Sequence, residues 1–390
     1  LGDVYKRQLY AMWLVRTVLS YLLTYRKSLL IADQKEYIAS ITGLILNVVS
    51  YLAIILLVTW EQNYLLALGI GTVTEVVLNI WISWYVEQKY PFLRQRRKEK
   101  STSSLTKRIV RDLKSLFISR ISEKMLYCTD NLIISGFIGV GTVGRYANYC
   151  MITQAISNIL TILANTIQPT VGDYFTEKNR QRNYEILRQL TFGFFCIASV
   201  VSVGLFSLIT PFVRDIWLGP SYELGWGITV FCIVVLLVRI MGLPLSLVMG
   251  VTGLFEKEKN VGASSALLNL IVSLALVKPY GMAGVLLGTL LSYLLQILYR
   301  YIIYFRDFLE MPGEALRYAQ DIGEYLAVIA GEVLLMQKIV PLIYGAGGML
   351  LFCVCFLLCI AIPLLLDLVI FGRGWRLQSI VTMVKGMRKA

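Results

Sequence analysis

Eleven apolar segments, each long enough to cross a bilayer, occupy most of the chain, so the fold class is constrained before any motif is read. A spanning helix needs about 20 mostly apolar residues, and lipid offers no partner to an open backbone, so the helix must satisfy its own N–H and C=O groups. Such stretches lie at 9–31, 37–59, 64–86, 115–139, 146–170, 190–211, 224–250, 260–279, 281–303, 323–344 and 347–371. The class they predict is all-α integral membrane.

Charge then gives the orientation. The connections at 26–36, 87–114, 171–189, 251–259, 300–322 and 372–390 carry most of the 37 Lys and Arg, whereas the opposite set holds only Arg145, Arg214, Lys278 and Lys338. Positive residues are retained on the cytoplasmic side, which puts the first set and the C-terminus in the cytoplasm. The net charge of +13 therefore reflects topology and contact with anionic lipid, and it implies no nucleic-acid partner. The chain has no histidine, which removes His-based triads, His metal ligands and a His proton relay together. The seven cysteines all fall inside predicted spans, where a small polarizable group packs well, and they predict neither disulfides nor a metal site. With no Walker loop or dinucleotide fingerprint, an ATP-driven pump is not expected and no cofactor is implied.

Six regions follow. Residues 1–8 (LGDVYKRQ) read as a non-native leader, and, since the first span would enter from outside, an upstream part is expected. Residues 9–86 form three spans, and 87–114 form a basic cytoplasmic linker with Pro91 and the run from Arg94 to Lys98. Within that linker, Leu105, Ile109, Leu113 and Leu116 recur at helical spacing among basic residues, which fits either an interfacial helix or a solvated linker. Residues 115–303 make a six-helix bundle, 304–371 two additional spans, and 372–390 a basic tail on the membrane surface. Gly242, Pro244, Gly250 and Gly253 suit either a hinge or close helix packing.

Ionisable groups inside spans are costly and mark sites by default. The fourth span puts Arg120, Lys124, Tyr127 and Asn131 on one helical face, with Glu123 and Asp130 beside them. Arg120 and Glu123 can pair near the cytoplasmic interface, but Asp130 lies about 15 Å further along the helix and is harder to explain structurally. Arg16 and Arg239 lie deep in the first and seventh spans, Glu75 and Asn79 one turn apart in the third, and Glu332 in the tenth. If the cations converge, guanidinium forks suit phosphate or pyrophosphate oxygens. A neighbouring carboxylate could take a coupling ion, Na+ or H+. Arg145 and Tyr146 are placed at the external mouth, where such residues are commonly interfacial anchors.

Three segments carry a family resemblance: the run from Tyr25 to Lys35, the stretch from Thr129 to Ser135 followed by Gly144 to Tyr149, and the run from Lys278 to Thr289. By these the chain resembles the multidrug/oligosaccharidyl-lipid/polysaccharide exporter superfamily, in its bacterial polysaccharide-transport (Wzx-type) branch. The resemblance implies a two-bundle exporter fold, with about eleven spans in this fragment and fourteen in a complete protein. It implies no enzyme, but transbilayer movement of a polyprenyl-pyrophosphate-linked oligosaccharide in the bacterial cytoplasmic membrane by alternating access. Asp130 and Asn131 match the family segment, while Arg16, Arg120, Lys124 and Arg239 rest on position and charge. Implied partners are the lipid-linked oligosaccharide, membrane lipids, and a polysaccharide polymerase or ligase. Two relatives in function stay open, a cation-coupled small-molecule exporter and a peptidoglycan lipid-precursor flippase. A membrane glycosyltransferase is disfavoured, because no external connection is long enough for a catalytic domain.

Overall fold

The computed structural model describes residues 2–21, 24–33, 35–61, 63–94, 110, 128–175, 179–252, 254–345 and 347–372. Among them there is no strand, and nine helices are long and apolar enough to cross a membrane. The chain is an all-helical, multi-pass membrane protein that divides into two compact units, Leu1–Ser103 and Ser104–Ala390.

The first unit contains α1 (Gly2–Tyr21), α2 (Lys27–Ala32), α3 (Glu36–Glu61) and α4 (Tyr64–Lys89). The expected span 9–31 is corrected here. Helix α1 starts within the octet, ends at Tyr21, and is followed by a 3-10 turn at Thr24–Arg26. The cause lies on α4: the Asn79 amide donates to the Ser20 carbonyl at 3.2 Å, satisfying one of the acceptors that a helix end leaves open. Beyond the break, Arg26 pairs with Glu87 at 2.6 Å, so Arg26 sits at a polar end and not in a continuous span. Asn63 caps α4 by accepting from the N–H groups of Leu65 and Leu66. The buried core of this unit is small: Leu30, Ala39, Ile82 and Val86, flanked by the stacked pair Trp81 and Tyr85.

The second unit holds a helical stretch at 128–137, called α5, then α6 (Val140–Tyr174) and α7 (Arg180–Pro211). Next come α8 (Trp226–Val251), α9 (Phe255–Tyr280), α10 (Met282–Ile302), α11 (Pro312–Tyr344) and α12 (Met349–Phe371). Helices α7 and α10 each run on into a π-helical turn, at Phe212–Trp217 and Ile303–Leu309. Both overshoot the spans expected at 190–211 and 281–303, because polar and charged ends continue the helix beyond its apolar stretch.

Helices α9 and α10 form a tight hairpin around Gly281, whose φ of 58° favours glycine. A Cβ on Gly284 would overlap the carbonyl of Leu276, and one on Gly288 would overlap the Ser273 hydroxyl, so the small residues let the two backbones meet. Helix α8 runs unbroken through Pro244, with Gly242 packed against Ile297. Close packing thus accounts for Gly242, while Gly253 lies outside the described residues. Helices α7, α11 and α12 meet in an aromatic cluster in which Phe195 stacks on Tyr325 at 4.5 Å and both rings meet Phe371 edge-on. Residues 95–109 and 111–127, which hold most of the expected linker and the first part of the expected fourth span, and the tail 373–390 lie outside the described residues.

Candidate substrate site

Asp130 on α5 is 4% exposed and is met by two helices. The Thr289 hydroxyl on α10 donates to its Oδ2 at 2.7 Å, and the Asn269 amide on α9 reaches its Oδ1 at 3.5 Å and the Thr289 oxygen at 2.9 Å. The glycine hairpin makes this possible, since only closely packed α9 and α10 bring Asn269 and Thr289 onto one carboxylate. One turn further on α9, Ser273 donates to the Val285 carbonyl at 3.2 Å. The Asn269 Oδ1 is buried and has no hydrogen-bond partner among the described residues. The result is a knot of oxygens with a single carboxylate.

From this knot a polar path opens along α6, α8 and α10. A cavity of about 60 Å³ is walled by Asp130, Asn131, Gln154, Arg239 and Tyr293 among others. A second, of about 100 Å³, shares Arg239 and Tyr293 and adds Ser157, Gln296 and Arg300. The Arg239 guanidinium lies over the Tyr293 ring, 5.4 Å from its centroid, and so faces both cavities from mid-helix. An apolar groove of about 490 Å³, lined by residues of α8, α10 and α11, borders the second cavity at Val238 and Ile297.

The sequence-predicted residues therefore separate. Asp130, Asn131 and Arg239 meet on one cavity wall. Arg16 belongs to the first unit, where its Nε and Nη2 both donate to Glu75 Oε1, at 3.1 and 2.7 Å. Arg120, Glu123, Lys124 and Tyr127 lie outside the described residues. Tyr146, expected at the external mouth, is buried beside Asp130, because α6 begins at Val140 and carries it inward. Glu332 accepts from the Ser199 hydroxyl at 2.6 Å, and Arg188 grips Asp321 through two hydrogen bonds, so these groups fasten α11 to α7. Sequence reasoning missed Asn269, Thr289, Tyr293, Gln296 and Arg300. Thr289 closes a motif already singled out, and Arg300 was read as a topological charge only.

The fold and this interior define the class: a multi-pass helical membrane protein with polar cavities inside one bundle. Comparison with known proteins sharpens it. A family model described as "Polysaccharide biosynthesis protein" matches residues 3–175. The fold is similar to "Lipid II flippase MurJ, inward closed conformation", with a TM-score of 0.67 and 15% identity, over 93% of this chain and 74% of that one. No match to a curated protein sequence was found. The first match covers less than half of the chain, and the second is a likeness of fold.

Proposed function

We propose that the chain is a flippase that moves a polyprenyl-pyrophosphate-linked oligosaccharide across the bacterial cytoplasmic membrane by alternating access, for cell-surface polysaccharide synthesis. The observation that carries this reading is the adjacency of a cavity holding Arg239 and Arg300 to a long apolar groove. A lipid-linked pyrophosphate needs both. Two guanidinium groups match its oxygens, and hydrocarbon walls match its tail. Serine, glutamine and tyrosine side chains beside the arginines would meet the first sugars. No bond is made or broken in this process, so the reading assigns no catalytic residue. The C-terminus is cytoplasmic, and a polymerase or ligase would consume the product.

The Asp130 knot has a separate role in this reading, as the place of the coupling ion. A carboxylate, a threonine hydroxyl and an amide oxygen are the ligands that a hard cation or a proton takes. Turning the Asn269 amide over would aim its unpartnered oxygen at the same point. No ATP or other cofactor is needed.

A second reading, a peptidoglycan lipid-precursor flippase, is favoured by the similarity to a lipid II flippase. One assay separates them: the protein in proteoliposomes, offered a fluorescent polyprenyl-pyrophosphate oligosaccharide, a fluorescent lipid-linked peptidoglycan precursor, or a cationic dye, with and without Na+ and proton gradients. Flipping of the oligosaccharide substrate in preference to the precursor supports the first reading. The reverse preference selects the second, and dye export without either would move the protein to small-molecule efflux.

A further inference from the structure

Away from the arginine cavities, the second unit has a larger pocket of about 730 Å³, at the end of the bundle that the charge asymmetry puts outside. Its size falls in the range of about 300–1,000 Å³ typical of small-molecule sites. It is built where α7 ends in the π turn and α11 ends near Tyr344, with the chain entering α8 as a third wall. π turns often mark functional positions, and this one presents Arg214 and Asp215 side by side. The Arg214 Nε and Nη2 donate to the two oxygens of Asp215 at 2.7 and 3.1 Å, and the Tyr344 hydroxyl donates to Oδ2 at 3.1 Å. That fixes a planar charged pair at the wall.

The other polar groups converge on the same space. Glu223 and Gln337 come from different elements, the chain entering α8 and helix α11. Trp226 lies at the N-terminus of α8, 53% exposed, with its ring tilted against Phe206 at 6.3 Å. An open aromatic face beside carboxylate, amide, guanidinium and hydroxyl groups is complementary to a saccharide. The ring covers the C–H face of a pyranose, and planar side chains hydrogen-bond to adjacent hydroxyls. Arg214 is offset by Asp215, and Glu223 leaves the pocket net negative, which disfavours a phosphate or an acidic sugar.

We propose that this pocket is a saccharide subsite for neutral or amino sugars, which receives the glycan part of the substrate at the outer face. It rests on the flippase reading for its place in transport, but its binding chemistry stands apart from it. The test uses the purified full chain and a panel of lipid-free tri- to hexasaccharides, neutral, amino and acidic, read by saturation-transfer NMR and titration. Neutral or amino members are expected to bind saturably. Trp226→Ala should weaken them about tenfold, as loss of one buried aromatic contact does, and Gln337→Ala and Glu223→Gln should each weaken them several-fold. The proposal is overturned if no oligosaccharide binds, if only acidic ones do, if none of the three variants changes binding, or if phosphoethanolamine displaces the sugar more effectively than other sugars do. Flipping of lipid-linked substrate is measured on the same preparation. Flipping without binding here sinks this subsite alone, and binding without flipping sinks the flippase reading alone.

Discussion

Two arginines expected inside spans, one in each unit, look alike in the sequence and differ in the structure. In the first unit, Arg16 puts two donors onto Glu75 one helix away, and a small core of aliphatic side chains packs apart from that pair. In the second, Arg239 lies over Tyr293 and walls two cavities that run from Asp130 toward Arg300. A charge inside a span is thus not in itself a site. What marks Arg239 is the cavity space that it lines.

The largest expected effect follows from that difference. Arg239→Ala should reduce flipping of a pyrophosphate-linked substrate by about a hundredfold, roughly the loss of one desolvated charge-assisted contact, while Arg239→Lys keeps part of the rate. Folding, checked by thermal unfolding in detergent, should change little by comparison. Equal rates in wild type and Arg239→Ala would remove the arginine from the path.

The hairpin that supports the Asp130 knot comes next. Gly288→Ala should destabilise the second unit by about 1–3 kcal/mol, since the added methyl meets Ser273 and the α9 backbone in a packed interior. It should also blunt any dependence of flipping on Na+ or protons, because Asn269 and Thr289 shift with the helices. An unchanged melting temperature would mean that α9 and α10 sit further apart than described here.

In the first unit the expected effect is on stability. Glu75→Ala should cost about 2 kcal/mol, less than a fully buried pair, because the two side chains are 32% and 30% exposed. Replacing both, as Arg16→Leu with Glu75→Leu, should restore most of it. If the double variant is worse than the single one, the pair does more than neutralise itself.

The smallest effect is at Asp33, just before α3. Asp33 accepts from Lys35 and from the Tyr90 hydroxyl, at 2.6 Å for the latter, and these bonds hold its carboxyl below the usual carboxylate range. A depressed folded-state pKa means the contribution is present above the unfolded value and is lost as pH falls through the folded one. Hydrogen exchange around 27–36 should therefore be flat near neutral pH and rise only in acid, with Asp33→Asn abolishing the acid step. A rise that survives this substitution would point to another group.

These contrasts also show what was legible in the sequence. The class and nine of the eleven expected spans, those found among the described residues, were readable because lipid imposes a length and composition on each helix. Asp130 stood out because an acid ten residues beyond Arg120 inside the expected span has no cheap explanation. Its partners were not, since Asn269 and Thr289 are ordinary small polar residues in apolar helices and lie 139 and 159 residues away. The glycines from Gly281 to Gly288 were visible as a pattern, yet their effect, bringing two helices onto one carboxylate, appears only in three dimensions. The break after Tyr21 was hidden for a related reason, because Asn79 ends α1 from another helix. The outer pocket was missed because its groups come from the ends of α7 and α11 and from the chain entering α8, a side that a topology count treats as nearly uncharged.

The central claim is that Arg239 serves the substrate while Arg16 serves its own bundle. The direct measurement is flipping of a fluorescent polyprenyl-pyrophosphate oligosaccharide in proteoliposomes by three proteins: wild type, Arg239→Ala, and the Arg16→Leu, Glu75→Leu double variant, each matched for inserted amount. Near-wild-type flipping by the double variant with collapse in Arg239→Ala is the predicted result. Collapse in the double variant with normal flipping in Arg239→Ala would contradict it.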